Sequence, residues 1–146
     1  RRVSIERDVF PAMAAEGRLF ALRTDDYWLD TGRPEPYRRA NLDLLDGVRR
    51  SARCDAIEPG ADGAPTAEIV HSVVSAGSSI GDGARGVVSV VLPGARVGAG
   101  AVVSQSVVMG RVGTGAVVDD AVIGADGEVP AGSEARGVRI PDPESP

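Results

Sequence analysis

Ser72-Val73-Val74 returns as Ser89-Val90-Val91, as Ser106-Val107-Val108 and, in altered form, as Ala121-Val122-Ile123. The successive spacings are 17, 17 and 15 residues. Each copy is followed by an aliphatic residue and a bend of small residues: Ile80-Gly81-Asp82-Gly83, Val97-Gly98-Ala99-Gly100, Val112-Gly113-Thr114-Gly115 and Val129-Pro130-Ala131-Gly132. A fixed internal period of this kind is typical of a solenoid, so this stretch decides the fold.

The aliphatic residue of each phrase is predicted to face the inside of a coil. In a parallel β-helix each coil is a triangle of three short strands, and every sixth residue points into its narrow interior. Branched side chains suit stacking on such a pleated surface, and Gly-x-Gly fits a corner that needs positive φ or close backbone approach. Three hexapeptides make a coil of about 18 residues, which a corner deletion shortens. The repeat predicts a left-handed parallel β-helix of about four coils over residues 66–140.

Helices, a meandering sheet and phosphate-binding loops are each less consistent with the glycine-rich half than a β-helix is. Glycine recurs throughout residues 77–137, and each glycine inside a helix would cost about 0.5–1 kcal/mol. A meandering sheet would show strict two-residue alternation and hairpin turns such as Asn-Gly, and neither occurs. Phosphate-binding loops at Gly81, Gly98 and Gly113 would each require a following helix. These glycines are therefore predicted to be corners.

The first third follows a different pattern. Ser4 is a candidate N-cap for a short helix with Ile5, Val9 and Phe10 on one face. Pro11 ends or restarts that helix, and Gly17 terminates a second turn through residues 13–16. Two short strands are expected at residues 19–22 and 27–29. A longer helix is predicted from Pro34 through Leu45.

These elements give a four-part organisation. Residues 1–47 are predicted to form a small α/β unit, which would be only marginally stable alone. Residues 48–65, with Asp46-Gly47 just before them and Pro59-Gly60 within, are predicted to be a connector. Residues 66–140 are the β-helix, and residues 141–146 form a proline-rich flexible tail that cannot continue a ladder. The small unit is therefore either the end of a larger upstream domain or an end-cap for the β-helix.

Bulk composition excludes several classes of function. The formal net charge is −5, and all 16 basic residues are Arg, which argues against a nucleic-acid or anionic-membrane surface. The single Cys54 permits no intramolecular disulfide, and no apolar run approaches the roughly 18 residues of a membrane span. The start has no secretory core and no Met. We expect a cytoplasmic protein, a chain that is part of a longer one, and homo-oligomers formed through the flat solenoid faces.

Two segments carry a resemblance to a known family. They are Ser4-Ile5-Glu6-Arg7-Asp8-Val9-Phe10-Pro11 and Tyr27-Trp28-Leu29-Asp30-Thr31-Gly32-Arg33-Pro34-Glu35-Pro36-Tyr37-Arg38-Arg39-Ala40-Asn41. Followed by hexapeptide repeats, they resemble the sugar-1-phosphate nucleotidyltransferases, and most of all the mannose-1-phosphate guanylyltransferase (GDP-mannose pyrophosphorylase) branch. In that family such a segment closes the catalytic α/β domain, and a left-handed β-helix follows it.

The resemblance implies a reaction and a metal ligand. A sugar 1-phosphate oxygen attacks the α-phosphorus of a nucleoside triphosphate, here GTP with mannose 1-phosphate, and pyrophosphate leaves. The Asp of the family's Trp-x-Asp-x-Gly phrase binds Mg²⁺, and this position is Asp30 here. Mg²⁺ is usually held by one or two carboxylates plus substrate phosphates. The local alternative is an Asp that only shapes the turn before Gly32.

The chain also departs from the family's pattern. The nucleotide-binding loop of the form GxGxRLxPLT, the partner metal-binding Asp and the lysine that contacts the sugar phosphate are all absent from it. The chain is therefore expected to be a C-terminal portion that does not catalyse the transfer by itself, so no catalytic residue is assigned on it.

Other candidate residues have a structural and a functional interpretation. His71 is the single histidine and could be the general base of a hexapeptide acyltransferase, although a surface position is favoured because no loop interrupts the repeat. Tyr27 and Trp28 are predicted to pack on their strand. The remaining candidates are arginines: Arg49, Arg50 and Arg53 are interpreted as connector charges, and Arg85, Arg96 and Arg111 as a solvated face or an anionic-effector site.

Three hypotheses of function follow. The first is the C-terminal part of a sugar-1-phosphate nucleotidyltransferase whose β-helix serves oligomerisation or regulation. The second is a non-catalytic assembly or effector-binding module, and the third is an acyltransferase that uses His71.

Overall fold

The computed structural model describes residues 2–49 and 55–141, and its main feature is a parallel β-solenoid. Its strands form three five-stranded parallel sheets, one on each side of the triangle. Sheet 1 contains β1 (Asp62–Gly63), β4 (Ser79–Ile80), β7 (Arg96–Val97), β10 (Arg111–Val112) and β13 (Glu128–Val129). Sheet 2 contains β2 (Glu68–Val70), β5 (Arg85–Val87), β8 (Val102–Ser104), β11 (Val117–Asp119) and β14 (Glu134–Arg136). Sheet 3 contains β3 (Val73–Val74), β6 (Val90–Val91), β9 (Val107–Val108), β12 (Val122–Ile123) and β15 (Arg139–Ile140).

The predicted hexapeptide β-helix is confirmed, but it has five coils rather than about four. Asp62 and Gly63 already pair with Ser79 and Ile80, and Ile57 bridges Val74. Pairing therefore begins inside the segment that the sequence predicts to be a connector. The repeat phrase is blurred there because Gly63 takes the inward position that Ile80 has one coil later.

One corner of the solenoid is two residues shorter than the equivalent corner of the preceding coil. Four residues, 92–95, separate β6 from β7, whereas only Met109 and Gly110 separate β9 from β10. The pairing is kept across this change, since Val112 lies opposite Val97 on one side and Val129 on the other. The 15-residue spacing is thus a corner deletion, as the sequence predicts.

The core is the column of inward side chains. Ile80, Val97 and Val112 are 6%, 5% and 2% exposed and belong to the core cluster, which confirms their predicted inward direction. The other inward positions are also small or branched: Val74, Val91, Val108 and Ile123 on sheet 3, and Val103, Val118 and Ala135 on sheet 2. Because aromatic side chains are absent from this cluster, the three sheets can approach one another closely across the interior.

The two positions of each Gly-x-Gly corner require glycine for different structural reasons. A Cβ on Gly98 would lie 2.6 Å from the backbone nitrogen of Thr114 in the next coil, a distance that no side chain tolerates. Gly100 has open space around it but adopts φ +64°, which L-residues rarely adopt. Pro130 replaces the first glycine at the corner after β13, which is an edge strand of sheet 1.

A ladder of buried serines links successive coils. The backbone N–H of Ser89 donates to Oγ of Ser72 at 3.0 Å, that of Ser106 to Oγ of Ser89 at 3.2 Å, and that of Ala121 to Oγ of Ser106 at 3.0 Å. Each hydroxyl in turn donates to a backbone carbonyl of its own coil, as Ser89 does to Val87 at 2.8 Å. The ladder satisfies donors that the corner leaves unpaired.

We expect the substitution Ser89→Ala to lower the free energy of unfolding by about 1–3 kcal/mol, because it leaves the buried N–H of Ser106 without this acceptor. Urea unfolding followed by circular dichroism measures the effect. Ser133→Ala is the matched control, since the Ser133 hydroxyl donates to the carbonyl of Pro130 at an exposed corner and accepts no backbone N–H from a neighbouring coil among the described residues. Equal losses in the two variants would contradict the role of the ladder.

The N-terminal third begins with the predicted short helix. A π-helical turn, Ile5–Val9, runs directly into α1, Phe10–Ala15. Ser4 caps it, with its Oγ accepting from the Arg7 N–H at 3.2 Å. Pro11 lies in the first turn of α1, where its missing N–H costs little, so it restarts the helix. Gly17 follows with φ +65°, in agreement with the predicted C-terminal stop.

The two strands predicted at residues 19–22 and 27–29 are wrong. Neither segment forms a strand, and Phe20, Leu22 and Trp28 are 88%, 93% and 81% exposed. A strand needs a neighbour for its backbone hydrogen bonds, and no other described segment pairs with these residues. Their strand-like composition is therefore not sufficient to make a strand in this chain.

The predicted long helix is confirmed as α2, Pro34–Leu45. Pro34 occupies its first turn, and Leu42 is its buried residue. No helix in residues 2–49 and 55–141 is long and apolar enough to cross a membrane. Cys54, Arg50, Arg53 and the predicted tail beyond Pro141 lie outside the described residues.

Candidate functional site

Helix α2 covers the outer side of sheet 3. Val73, Val90 and Val107 are 2%, 0% and 5% exposed, yet they are not members of the solenoid's internal core. They are outward residues, since their neighbours Val74, Val91 and Val108 face inward. α2 contacts β3 and contributes Leu42 to the buried set. The helix therefore packs against a ladder of outward valines.

Two polar contacts fix the helix to one corner of the solenoid. Oδ1 of Asp46, just after α2, lies 2.9 Å from Nε2 of His71. One N–H of the Arg38 guanidinium donates to the backbone carbonyl of Gln105. Since His71 is in the first coil and Gln105 in the third, α2 begins beside the later coils and ends beside the first one.

The corner that carries these contacts has an unusual backbone. His71, Val88, Gln105 and Asp120 occupy equivalent positions and have φ of 43°, 51°, 48° and 47°. Left-handed backbone is uncommon for residues other than glycine, above all for a β-branched one such as Val88. Only two residues join sheet 2 to sheet 3 in each coil, and the first of them takes the left-handed conformation that this tight turn requires.

His71 lies on the surface, as predicted. Its side chain is 43% exposed and is held by the Asp46 carboxylate. It therefore joins α2 to the first complete coil, and this contact accounts for its position.

A groove lies between the N-terminal end of α2 and coils three to five. It has two lobes, with volumes of about 310 and 470 Å³. Arg33, Pro34, Val107, Val122 and Arg139 line both lobes. The smaller lobe adds polar residues, namely Glu35, Arg38, Gln105 and Asp120. The larger lobe adds Thr31, Tyr37, Leu92 and Met109.

This groove is not among the sites predicted from the sequence. The signal that could have found it is the outward column of sheet 3, which reads Val73, Val90, Val107, Val122 and then Arg139 at the repeat spacing. The change from valine to arginine at the fifth position marks the end of the helix-covered face.

Asp30 lies on the exposed segment that leads into α2. Its Oδ1 accepts from the Gly32 N–H at 2.9 Å, which is the local turn role considered for it. No cluster of three or more His, Cys, Asp or Glu side chains suited to a metal occurs within residues 2–49 and 55–141. Asp30 thus fits Mg²⁺ as one carboxylate ligand that would need partners from elsewhere, and its metal role stays a prediction.

Tyr27 and Trp28 differ from their predicted role as packing residues on a strand. The Tyr27 hydroxyl donates to Oδ2 of Asp43 at 2.7 Å, which ties the segment to α2. That hydrogen bond to a carboxylate raises the pKa of the Tyr27 phenol above its usual value. Trp28 is almost fully exposed because the strand that would have packed it does not form.

The three arginines of the repeat do not form one patch. Arg85 on sheet 2 pairs with Glu68 at 3.1 Å. Arg96 and Arg111 are register neighbours on the outer face of sheet 1. All three arginines lie on strands. The corners are occupied by Gly81, Gly98 and Gly113, as predicted.

Comparisons with known proteins agree with this geometry. A family model described as GlmU-like, C-terminal hexapeptide, matches residues 60–138. A mannose-1-phosphate guanylyltransferase of Mycobacterium tuberculosis is 35% identical over an alignment of 114 residues that covers 72% of this chain and 32% of the relative. The mannose-1-phosphate guanylyltransferase catalytic subunit beta of Xenopus tropicalis is 42% identical over 50 residues, 34% of this chain and 14% of the relative.

A relative of lower identity is a different sugar-1-phosphate nucleotidyltransferase. The glucose-1-phosphate adenylyltransferase of Acetivibrio thermocellus is 29% identical over 133 residues, 84% of this chain and 29% of the relative. The chain thus spans less than a third of the length of these three relatives. Since the family model matches more than half of the chain, and its residues form the parallel coils that hexapeptide repeats require, the chain belongs to the GlmU-like C-terminal hexapeptide family, with sugar-1-phosphate nucleotidyltransferases among its homologues.

Proposed function

We propose that this chain is the C-terminal part of a mannose-1-phosphate guanylyltransferase, which converts GTP and mannose 1-phosphate into GDP-mannose and pyrophosphate. The observation that carries the proposal is the extent of the similarity to the Mycobacterium tuberculosis relative. That alignment covers 72% of the chain, more than residues 57–140 alone can supply. It therefore includes part of the helical segment as well as the solenoid.

The N-terminal third supports the proposal because several of its large apolar side chains are exposed to solvent. Phe20, Leu22 and Trp28 are all more than 80% exposed, and exposed apolar surface of this kind marks a contact site. In the proposed protein this surface packs on the catalytic domain. α2, which is fixed to the solenoid, then holds the two parts together.

Within the parent protein we assign Asp30 to Mg²⁺. Bound Mg²⁺ would offset the charge of the phosphates during the transfer. Asp30 offers one exposed carboxylate close to the start of α2, and the catalytic domain would supply the other ligands. We also infer a cytoplasmic protein and an oligomer in which the solenoid faces meet. The half-exposed outward valines of sheet 2, Val87, Val102 and Val117, support such a contact.

The test begins with the reading frame upstream of residue 1, which should encode a GxGxRLxPLT loop. The protein so encoded should release pyrophosphate from GTP and mannose 1-phosphate, whereas the 146-residue chain alone should not. In that longer protein, Asp30→Asn should reduce kcat by about 100-fold or more. Asp26→Asn, on the same exposed segment, should leave it unchanged. An upstream frame without the loop, together with no turnover, would replace the proposal by the non-catalytic assembly module.

A further inference from the structure

We propose that the groove between α2 and coils three to five binds a phosphate ester. Its phosphate lies between Arg33 and Arg139, and its organic part lies in the larger lobe. This assignment does not depend on the proposed catalytic function, since every residue involved is in this chain.

The position of the groove follows from the length of the helix. A helix of 12 residues is about 18 Å long, which spans about four strands at a spacing of about 4.8 Å. α2 therefore buries Val73, Val90 and Val107 but leaves Val122 only partly covered. The uncovered end of the valine ladder becomes the floor of the groove.

The charge of the groove comes from three arginines on two elements. Arg33 and Arg38 come from the start of α2, and Arg139 comes from β15. No ion pair to Arg33, Arg38 or Arg139 occurs within residues 2–49 and 55–141. Arg38 instead donates to a backbone carbonyl. In a chain of net charge −5, such a convergence of unneutralised guanidiniums favours an anion.

The placement of the arginines favours a phosphate in particular. Arg33 and Arg139 line both lobes, so both residues lie where the two lobes join. A planar guanidinium matches phosphate oxygens with two parallel hydrogen bonds. Two such groups on opposite walls can bind one phosphate from both sides.

The organic part is assigned from the character of the two lobes. The smaller lobe contains the carboxylates of Glu35 and Asp120, which repel additional negative charge. The larger lobe contains Tyr37, Leu92 and Met109 and resembles the mostly apolar lining of small-molecule sites. A sugar or nucleoside moiety attached to the phosphate fits this second lobe, and free inorganic phosphate would leave it unused.

Isothermal titration calorimetry on the full chain tests the proposal. Its probes are glucose 1-phosphate, GMP, inorganic phosphate and unphosphorylated guanosine. At least one ester should bind with a dissociation constant below about 1 mM, and both inorganic phosphate and guanosine should bind more weakly. Arg33→Gln and Arg139→Gln should each weaken ester binding by about tenfold.

The double variant Arg96→Gln/Arg111→Gln is the matched control. These two arginines are also exposed and without an ion pair among the described residues, but they lie on sheet 1, away from the groove. Ester binding should be unchanged in the control, and circular dichroism should show all variants folded. No ester binding by the wild-type chain would overturn the site. The same conclusion would follow if inorganic phosphate bound as tightly as the ester, or if the control lost as much affinity as the groove variants.

Discussion

Gly110→Ala is expected to destabilise the solenoid more than any other single methyl group added to it, by about 3 kcal/mol or more. Gly110 is buried and lies in the corner that is two residues shorter than the others. A Cβ there would overlap the carbonyl oxygens of both Gly124 and Gly127. Gly127 cannot move away easily, because its carbonyl accepts the N–H of Arg111 at 2.9 Å. The strain would therefore weaken the contact between successive coils, on which a solenoid depends.

Urea unfolding of Gly110→Ala and of two control variants measures this effect. Gly63→Ala adds a methyl group with no heavy atom within 4 Å and no left-handed φ, so its free energy of unfolding should change by less than about 0.5 kcal/mol. Gly115→Ala has open space but φ +65° and should cost about 1–2 kcal/mol. If Gly110→Ala changes the free energy of unfolding as little as Gly63→Ala does, the shortened corner is not tightly packed and the prediction is wrong.

Val90→Asp is expected to have the second large effect, a loss of about 3–5 kcal/mol in the free energy of unfolding. Val90 points outward from sheet 3 but is 0% exposed, because α2 covers it. A carboxylate at this position would be buried between the helix and the sheet, where its register neighbours, Val73 and Val107, are apolar. Relief requires α2 to separate from the solenoid.

Two measurements distinguish release of the helix from general unfolding. Trypsin should cleave Val90→Asp rapidly after Arg38 and Arg39 in α2, while the solenoid keeps its β circular dichroism. Val102→Asp is the control, since Val102 also points outward, but from sheet 2, where it is half-exposed. It should lose less than about 1 kcal/mol. Slow cleavage of α2 in Val90→Asp would show that the helix does not depend on the valine ladder.

The solenoid could be predicted because its information is local and repeated. Ile80, Val97 and Val112 are each followed by Gly-x-Gly, and stacking these similar phrases buries all three aliphatic side chains. The first of the five coils was missed because its first strand, Asp62–Gly63, lacks the aliphatic residue that identifies the others. Pairing by backbone hydrogen bonds does not need that side chain.

The first third was predicted less well because a strand forms only when another segment of the chain pairs with its backbone. The helix α2 was identified from Pro34 and its apolar face, since its hydrogen bonds are all within the segment. Residues 19–22 have the composition of a strand, but no described segment supplies the paired backbone. Asp30 was singled out from a family phrase, and the structure gives it an exposed turn without testing its metal role.

The sequence alone determined the coil, its corners and its inward column, because these depend on contacts between residues that one repeat separates. Only the tertiary structure decided where α2 lies, and with it the groove. Arg33 and Arg139 are more than 100 residues apart, and nothing in either neighbourhood encodes their meeting. They meet because the helix packs on outward valines and is shorter than the five-coil face beneath it.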